Sequence, residues 1–261
     1  MDISSVQNAR ITTVAKLARS RARRQAGLHL VEGPNPVREA LAAGVVEEVF
    51  VAESFLDTAN TLNLGVGSLV TTVTDEVLAK IAEAATPQGI VAVARTTTAP
   101  LGQVAGKFIV VLDQVADPGN AGTILRTADA AGADGVVFTA GSVDPFGPKS
   151  VRSGAGSTYH LPVVTDVSLD EVHAACAAHG QRLYGLDGGA DTMIEAFEKP
   201  QLPPVALVLG NEAQGLSAQA RATVDGAAAI PLYGRAESLN VAAAAAVAIY
   251  AVARGVHSQS G

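Results

Sequence analysis

The chain has 261 residues, of which 48% are hydrophobic and 16% charged, with no tryptophan and a single cysteine. This composition excludes an intrinsically disordered chain and an internal disulfide, and the longest apolar run, residues 241–252, is too short to cross a bilayer. The net charge of −7 disfavours a nucleic-acid partner only as an average: residues 1–24 hold Arg10, Lys16, Arg19, Arg21, Arg23 and Arg24 against Asp2 alone, a local +5 that leaves −12 for the remainder.

A basic arm on an acidic body concentrates phosphate affinity in one place; the same run, taken alone, also reads as a solvated helix face. No apolar stretch follows these charges as in a secretory signal, and one cysteine fits a reducing compartment, so the expected location is cytoplasmic. Beyond the arm, residues 28–31 form an apolar strand, and residues 36–43 a helix ended by Gly44. Residues 45–52 and 89–94 read as strands, and residues 75–84 as a helix with Val77, Leu78, Ile81 and Ala82 on one face. The aperiodic stretch 96–106, with Pro100 and Gly102, is the expected linker between a domain of residues 1–95 and a second of residues 107–261. Strands are then expected at 108–112, 135–138, 182–186, 205–209 and 227–230, and helices at 121–131, 169–178 and 239–254. Alternating strands and helices imply a mostly parallel sheet covered on both faces, with ligands beyond the carboxyl ends of its strands.

Three loops at such ends carry unusual residues. After residue 112 comes Asp113 to Ala128, with a Pro118-Gly119 turn, Asn120 as expected helix cap, and Arg126 less than two turns further on. Arg126 can face a phosphate or ribose, or simply pair with Asp129 or Asp134. After residue 209, Gly210 leaves room for a ligand against the backbone, Asn211 and Glu212 follow, and Ser217 caps the next helix. Ile230-Pro231-Leu232 leads to Ser238, the expected cap of an alanine-rich helix that is apolar all round and needs burial or a subunit contact.

In this order, Asn-x-Gly-x-Ile-x-Arg-Thr-Ala at 120–128, Leu-Gly-Asn-Glu-x-x-Gly-Leu at 209–216 and Ile-Pro-Leu with Ser-Leu-Asn-Val-x-x-Ala at 230–243 resemble the three motifs of the SpoU (TrmH-like) branch of the SPOUT RNA methyltransferases. Leu30-Val31-Glu32-Gly33 with Val37-Arg38-Glu39-Ala40-Leu41 is similar to the substrate-binding domain often joined to that family. The resemblance implies an N-terminal L30e-like α/β domain and a C-terminal α/β SPOUT domain whose parallel sheet carries a deep trefoil knot. It implies transfer of a methyl group from S-adenosyl-L-methionine to a ribose 2′-hydroxyl of RNA, with ribosomal 23S RNA favoured over tRNA, in a homodimer needing neither metal nor membrane. By motif position the cofactor falls to Leu209, Gly210, Ile230, Leu232, Ser238 and Leu239. Arg126 is assigned to the hydroxyl, as base or as orienter of the hydroxyl and its phosphate, with Asn120, Glu212, Ser238 and Asn240 arranging the site. RNA is expected on Arg10, Lys16, Arg19, Arg21, Arg23 and Arg24, and on Phe146, Lys149 and Arg152 in a looser match.

Other leads are weaker. Leu186-Asp187-Gly188-Gly189 lacks the glycine spacing of a Rossmann-type loop, and His173, Cys176 and His179 sweep around a helix instead of sharing a face. The rival reading is a non-catalytic RNA-binding protein, against which Arg126, Glu212, Ser238 and Asn240 all stand intact.

Overall fold

The structure is a computed structural model that describes residues 2–61, 69–104 and 106–258. Residue 105 of the expected linker, and residues 1, 62–68 and 259–261 of the two expected domains, lie outside the described residues. In chain order the elements are α1 (Ala9–Ala15), α2 (Ser20–Ala26), β1 (Leu28–Glu32), α3 (Pro34–Ala42), β2 (Val46–Ala52), α4 (Leu56–Thr61), β3 (Val70–Val73), α5 (Asp75–Ile81), β4 (Ile90–Arg95), β5 (Phe108–Leu112), α6 (Pro118–Ala130), β6 (Gly135–Thr139), α7 (Pro148–Gly154), β7 (Val163–Val167), α8 (Leu169–Ala178), β8 (Arg182–Leu186), β9 (Val205–Leu209), α9 (Ala218–Thr223), β10 (Gly226–Ala228) and α10 (Val241–His257).

They form two compact units, Met1–Thr97 with Asp144–His160, and Thr98–Val143 with Leu161–Gly261. The stretch carrying α7 therefore groups with the first unit, although it follows β6 in the chain.

The first unit has a four-stranded sheet of order β1-β4-β2-β3, antiparallel except for the β2–β3 pair. Its side chains alternate between two apolar layers, as the period of two in a strand demands. Leu30, Phe50, Val73 and Val93 join Ile11 of α1 and Val77, Leu78 and Ile81 of α5. Val31, Val49, Val51 and Ala92 join Val37 and Ala40 of α3 and Val151 of α7.

The second unit is an all-parallel six-stranded sheet of order β10-β8-β9-β5-β6-β7. Every residue of the adjacent strands β5 and β9 is buried, which explains why both read as unbroken apolar runs and not as alternations. The helix after β9 is capped by Ser217, as expected, its hydroxyl accepting from the Ala220 N–H at 3.0 Å.

Two other caps differ from the sequence expectation. Asp117, not Asn120, caps α6, accepting from the Asn120 N–H, and Pro118 takes the first helical position where a missing N–H costs nothing. Asn240, not Ser238, caps α10, its Oδ1 accepting from Ala242 and Ala243. Both changes release a motif side chain from a structural duty. Strand β3 and helix α7 had no sequence expectation; α10 is buried along one side, with Val247 and Tyr250 exposed on the other.

Candidate functional site

The second unit opens at the carboxyl ends of β8 and β9 into a cleft of about 370 Å³. Its walls come from three directions. Leu186 and Gly188 follow β8, residues 209–215 follow β9, and Ile230, Leu232, Glu237, Ser238, Leu239, Val241 and Ala244 follow β10. All six residues assigned to the cofactor by motif position, Leu209, Gly210, Ile230, Leu232, Ser238 and Leu239, line this one cavity. Leu232 and Leu239 are 42% and 41% exposed, an unusual degree for leucine that leaves apolar surface facing the opening. Gly188, set aside as a Rossmann-type loop, turns out to be part of the wall.

The loop after β9 folds back on itself. Asn211 and Gly215 exchange backbone hydrogen bonds at 3.0 and 2.8 Å, and Gly215 takes the left-handed φ of +65° that closes the turn. A Cβ on Gly210 would lie 2.3 Å from the Gly215 carbonyl oxygen, so no larger residue fits without opening the loop. Gly210 thus has a structural role beside its place in the cleft wall: the glycine is needed for the loop to close.

Glu212, at the tip, reaches across to the loop after β5. Its carboxylate accepts from the backbone N–H groups of Ala116 at 3.0 Å and Asp117 at 2.9 Å, and from Asn120 Nδ2 at 3.2 Å. Partial burial opposes the charge on Glu212, but these donors together outweigh it and hold the carboxyl below the usual range. A carboxylate so committed is a clamp and a poor proton acceptor. Asn120 passes the connection on, its Oδ1 accepting from Asn240 Nδ2 at 3.3 Å. Four of the five expected site residues are thereby placed together: Glu212, Asn120 and Asn240 in one hydrogen-bonded chain, and Ser238 in the cleft wall with Glu212.

Arg126, the fifth, lies on the exposed face of α6 and, among the described residues, makes no hydrogen bond or ion pair. Asp134, one of its two expected acidic partners, accepts from the Phe108 N–H at 2.8 Å.

Asn211 went unmarked as a site residue in the sequence. Its Nδ2 donates to the Gln114 carbonyl at 2.9 Å, and its Oδ1 accepts from Ala213 and Gln214. Gln114 has a φ of +57°, rare for a residue with a side chain, and the Asn211 bond helps hold it there. The signal available was the Asn between two glycines, which favours this local side-chain-to-backbone pattern.

The residues assigned to RNA all lie in the first unit and divide sharply. Lys16, Arg19, Arg21 and Arg24 are exposed. Arg10 is engaged with Glu48 at 2.7 Å and lies over the Phe50 ring. Arg23 is 6% exposed and bound internally, and Phe146 is 3% exposed with its ring 5.1 Å from that of His29. These last two are corrected to interior residues: a side chain packed in a core has no surface to offer RNA. Lys149 is exposed, while Arg152 pairs with the buried Glu32 at 3.2 Å. Of the set-aside metal residues, His173 pairs with Asp225, and burial raises the Cys176 thiol to a pKa of about 11.

Similarity to known proteins extends over the same two halves. Residues 107–250 match the SpoU rRNA Methylase family, and residues 8–92 match the MRM3-like substrate binding domain. The 23S rRNA (guanosine(2553)-2′-O)-methyltransferase RlmP of Bacillus subtilis is 37% identical over 251 residues, 95% of this chain and 97% of that one. Among solved structures, the AdoMet-bound rRNA methyltransferase from Sinorhizobium meliloti is 28% identical with a TM-score of 0.84, covering 97% of each chain. The SpoU methyltransferase AviRb from Streptomyces viridochromogenes, in complex with AdoMet, is 30% identical with a TM-score of 0.82, covering 95% of this chain and 98% of that one. Two motif-bearing loops line one cleft, the third is tied to them through the bonds of Asn120 to Glu212 and Asn240, and with matches running through both halves this chain is a member of the SpoU rRNA methylase family.

Proposed function

We propose that this protein methylates a ribose 2′-hydroxyl of 23S ribosomal RNA, with S-adenosylmethionine in the cleft of the second unit and the RNA gripped by the first. The observation that supports it most is that the second and third motif loops line one cavity and are hydrogen-bonded to the first through the Glu212–Asn120–Asn240 chain. The 23S assignment leans on the named activity of the Bacillus subtilis relative and on the substrate-binding match over residues 8–92.

The cleft fits the cofactor's chemistry. Its volume is in the range of small-ligand sites, its apolar side chains suit an adenine ring, and the carboxylates of Glu212 and Glu237 suit a sulfonium cation. Leu209, Gly210, Ile230, Leu232, Ser238 and Leu239 would hold it, and when bound it supplies an electrophilic methyl group. The chain must supply the rest: a 2′-oxygen aligned with that methyl, an outlet for its proton and exclusion of water. Alignment is worth roughly 7–11 kcal/mol.

Arg126, exposed on α6, is the cation that its motif position assigns to the ribose oxygen and its neighbouring phosphate. Guanidinium stays protonated far above neutrality, which favours orienting and charge stabilisation over proton abstraction. Arg126→Ala should lower methyl transfer by about 10²–10³-fold, while calorimetric affinity for S-adenosylhomocysteine stays at the wild-type value. An Arg126→Ala protein that transfers methyl groups at the normal rate defeats the assignment. The non-catalytic alternative predicts no S-adenosylhomocysteine binding at all, so the same titration separates the two readings.

The protein acts as a homodimer in the cytoplasm under this reading. Val247 and Tyr250, 47% and 44% exposed on α10, give an apolar patch for the second copy. Among the described residues no helix is long and apolar enough to cross a membrane.

A further inference from the structure

Helix α2, Ser20–Ala26, is held to the first unit in an unusual way. Its single buried residue is Arg23, and no apolar side chain on it is buried. Four of the five N–H donors of the Arg23 guanidinium are engaged: Nη1 donates to the carbonyls of Leu17 at 2.9 Å and Ala18 at 2.7 Å, while Nε and Nη2 donate to Asp144 Oδ2 at 2.9 and 2.7 Å. The acceptor is itself fixed. Asp144 Oδ1 accepts from the Phe146 N–H at 2.9 Å, the Asp144 carbonyl accepts from the Ser150 hydroxyl at 3.0 Å, and the Phe146 ring is buried against His29.

The chain on either side of α2 is held in the core by Leu17 and Leu28, but the helix itself has no apolar face, so its seating between them depends on this two-bond pair to Asp144 Oδ2. Around the pair stand Lys16, Arg19, Arg21 and Arg24, all exposed, on a stretch of residues 3–31 that contains no acidic residue.

We infer that the Arg23–Asp144 pair fastens the basic arm to the first unit, so that Lys16, Arg19, Arg21 and Arg24 form a fixed binding surface for the RNA phosphate backbone. Arg23 itself is a positioning residue that never touches RNA. Fixing the arm in advance removes an ordering cost from binding, which a tethered but mobile arm would incur. The inference rests on the reading that the substrate is RNA, and it uses no part of the cleft.

The test measures binding of a 23S RNA transcript across a salt series by fluorescence anisotropy, with S-adenosylhomocysteine calorimetry and thermal melting alongside. Replacing Arg19, Arg21 and Arg24 together with alanine should weaken binding at least tenfold and flatten the salt dependence by roughly two to three units. Arg23→Met should reproduce most of that loss although it removes a cation already neutralised, and adding it to the triple variant should cost no more than about a further twofold. Asp144→Asn should behave like Arg23→Met and serves in its place if Arg23→Met melts without cooperativity. S-adenosylhomocysteine affinity should be unchanged in all four proteins. Wild-type RNA affinity in Arg23→Met and Asp144→Asn, or losses that multiply with those of the triple variant, would overturn the fastener. A triple variant that binds RNA normally would overturn the surface as well. Continued methyl transfer by that variant would leave the methyltransferase reading standing.

Discussion

His29 shows how much one buried ring constrains the first unit. It is 0% exposed, with Nε2 2.9 Å from the Tyr159 hydroxyl and Nδ1 3.2 Å from the Thr96 hydroxyl. Burial, the largest cause, lowers its pKa to about 4, with Arg23 adding to the effect and Asp144 opposing it. The unfolded chain, titrating near 6.5, therefore takes up the proton first. Stability should fall as pH drops from 6.5 towards 4, by up to about 3 kcal/mol if His29 is taken alone. His29→Gln should start less stable at pH 7 and lose less on acidification; parallel melting curves for the two proteins between pH 7 and pH 4.5 would contradict this. None of this was legible in sequence, where His29 is one polar letter in an apolar strand and both partners, Thr96 and Tyr159, are distant in the chain. Arg23 escaped for the same reason. Its charge was visible, but the acid that turns it inward lies 121 residues away.

At the scale of elements, strands and helices with a strong period are legible, while of the three expected side-chain caps only Ser217 holds its place. The strands expected at residues 108–112 and 205–209 have the observed limits because both are unbroken apolar runs. The strand at 182–186 and the helix at 169–178 also have the observed limits, with buried residues alternating in the first and spaced at Leu169, Val172 and Cys176 in the second. Strand β3 has four residues and two of them are threonines, too little for a period to show. The cap of α10 was misassigned because Ser238 and Asn240 are both good capping residues two positions apart, and only the backbone decides between them. The observed choice has a measurable consequence. Asn240→Ala should cost about 1 kcal/mol through the lost cap, or about 2–4 °C in Tm for a unit of this size. It should also lower activity by removing the bond to Asn120. Ser238→Ala should leave Tm within a degree while weakening cofactor binding or turnover. Equal Tm losses in the two variants would return the capping role to Ser238. That six motif residues would share one cleft was legible for a different reason. Their motifs are specific enough to be matched letter by letter, whereas the clamp from Glu212 to the loop after β5 depends on which strands become neighbours, and Glu212 and Asn120 are 92 residues apart in the chain.

The whole molecule is two units built from three crossings of the chain, since Asp144–His160 groups with the first unit and its flanks with the second. Sequence alone pointed to one linker at 96–106, because composition marks a polar break and cannot mark a helix such as α7 that packs with residues far upstream. The apolar patch of Val247 and Tyr250 belongs to this scale too. Under the proposed homodimer, the wild-type protein should sediment as a dimer and the Tyr250→Asp, Val247→Asp variant as a monomer, with transfer abolished if the second copy completes the cleft. A doubly substituted protein that still sediments as a dimer places the contact elsewhere.

The detour through α7 also limits how the substrate-binding half can be exchanged among relatives. Severing the chain at residue 97 would leave behind Val151, Phe146 and Asp144, and with them part of the apolar layer under β1 and the anchor for α2. A chimera that inherits its first hundred residues from one parent and the rest from another would join two halves of one core that were never selected together. Grafts that carry the α7 stretch along with the N-terminal segment should fold, and grafts that omit it should arrive with a loosened arm and poor grip on RNA.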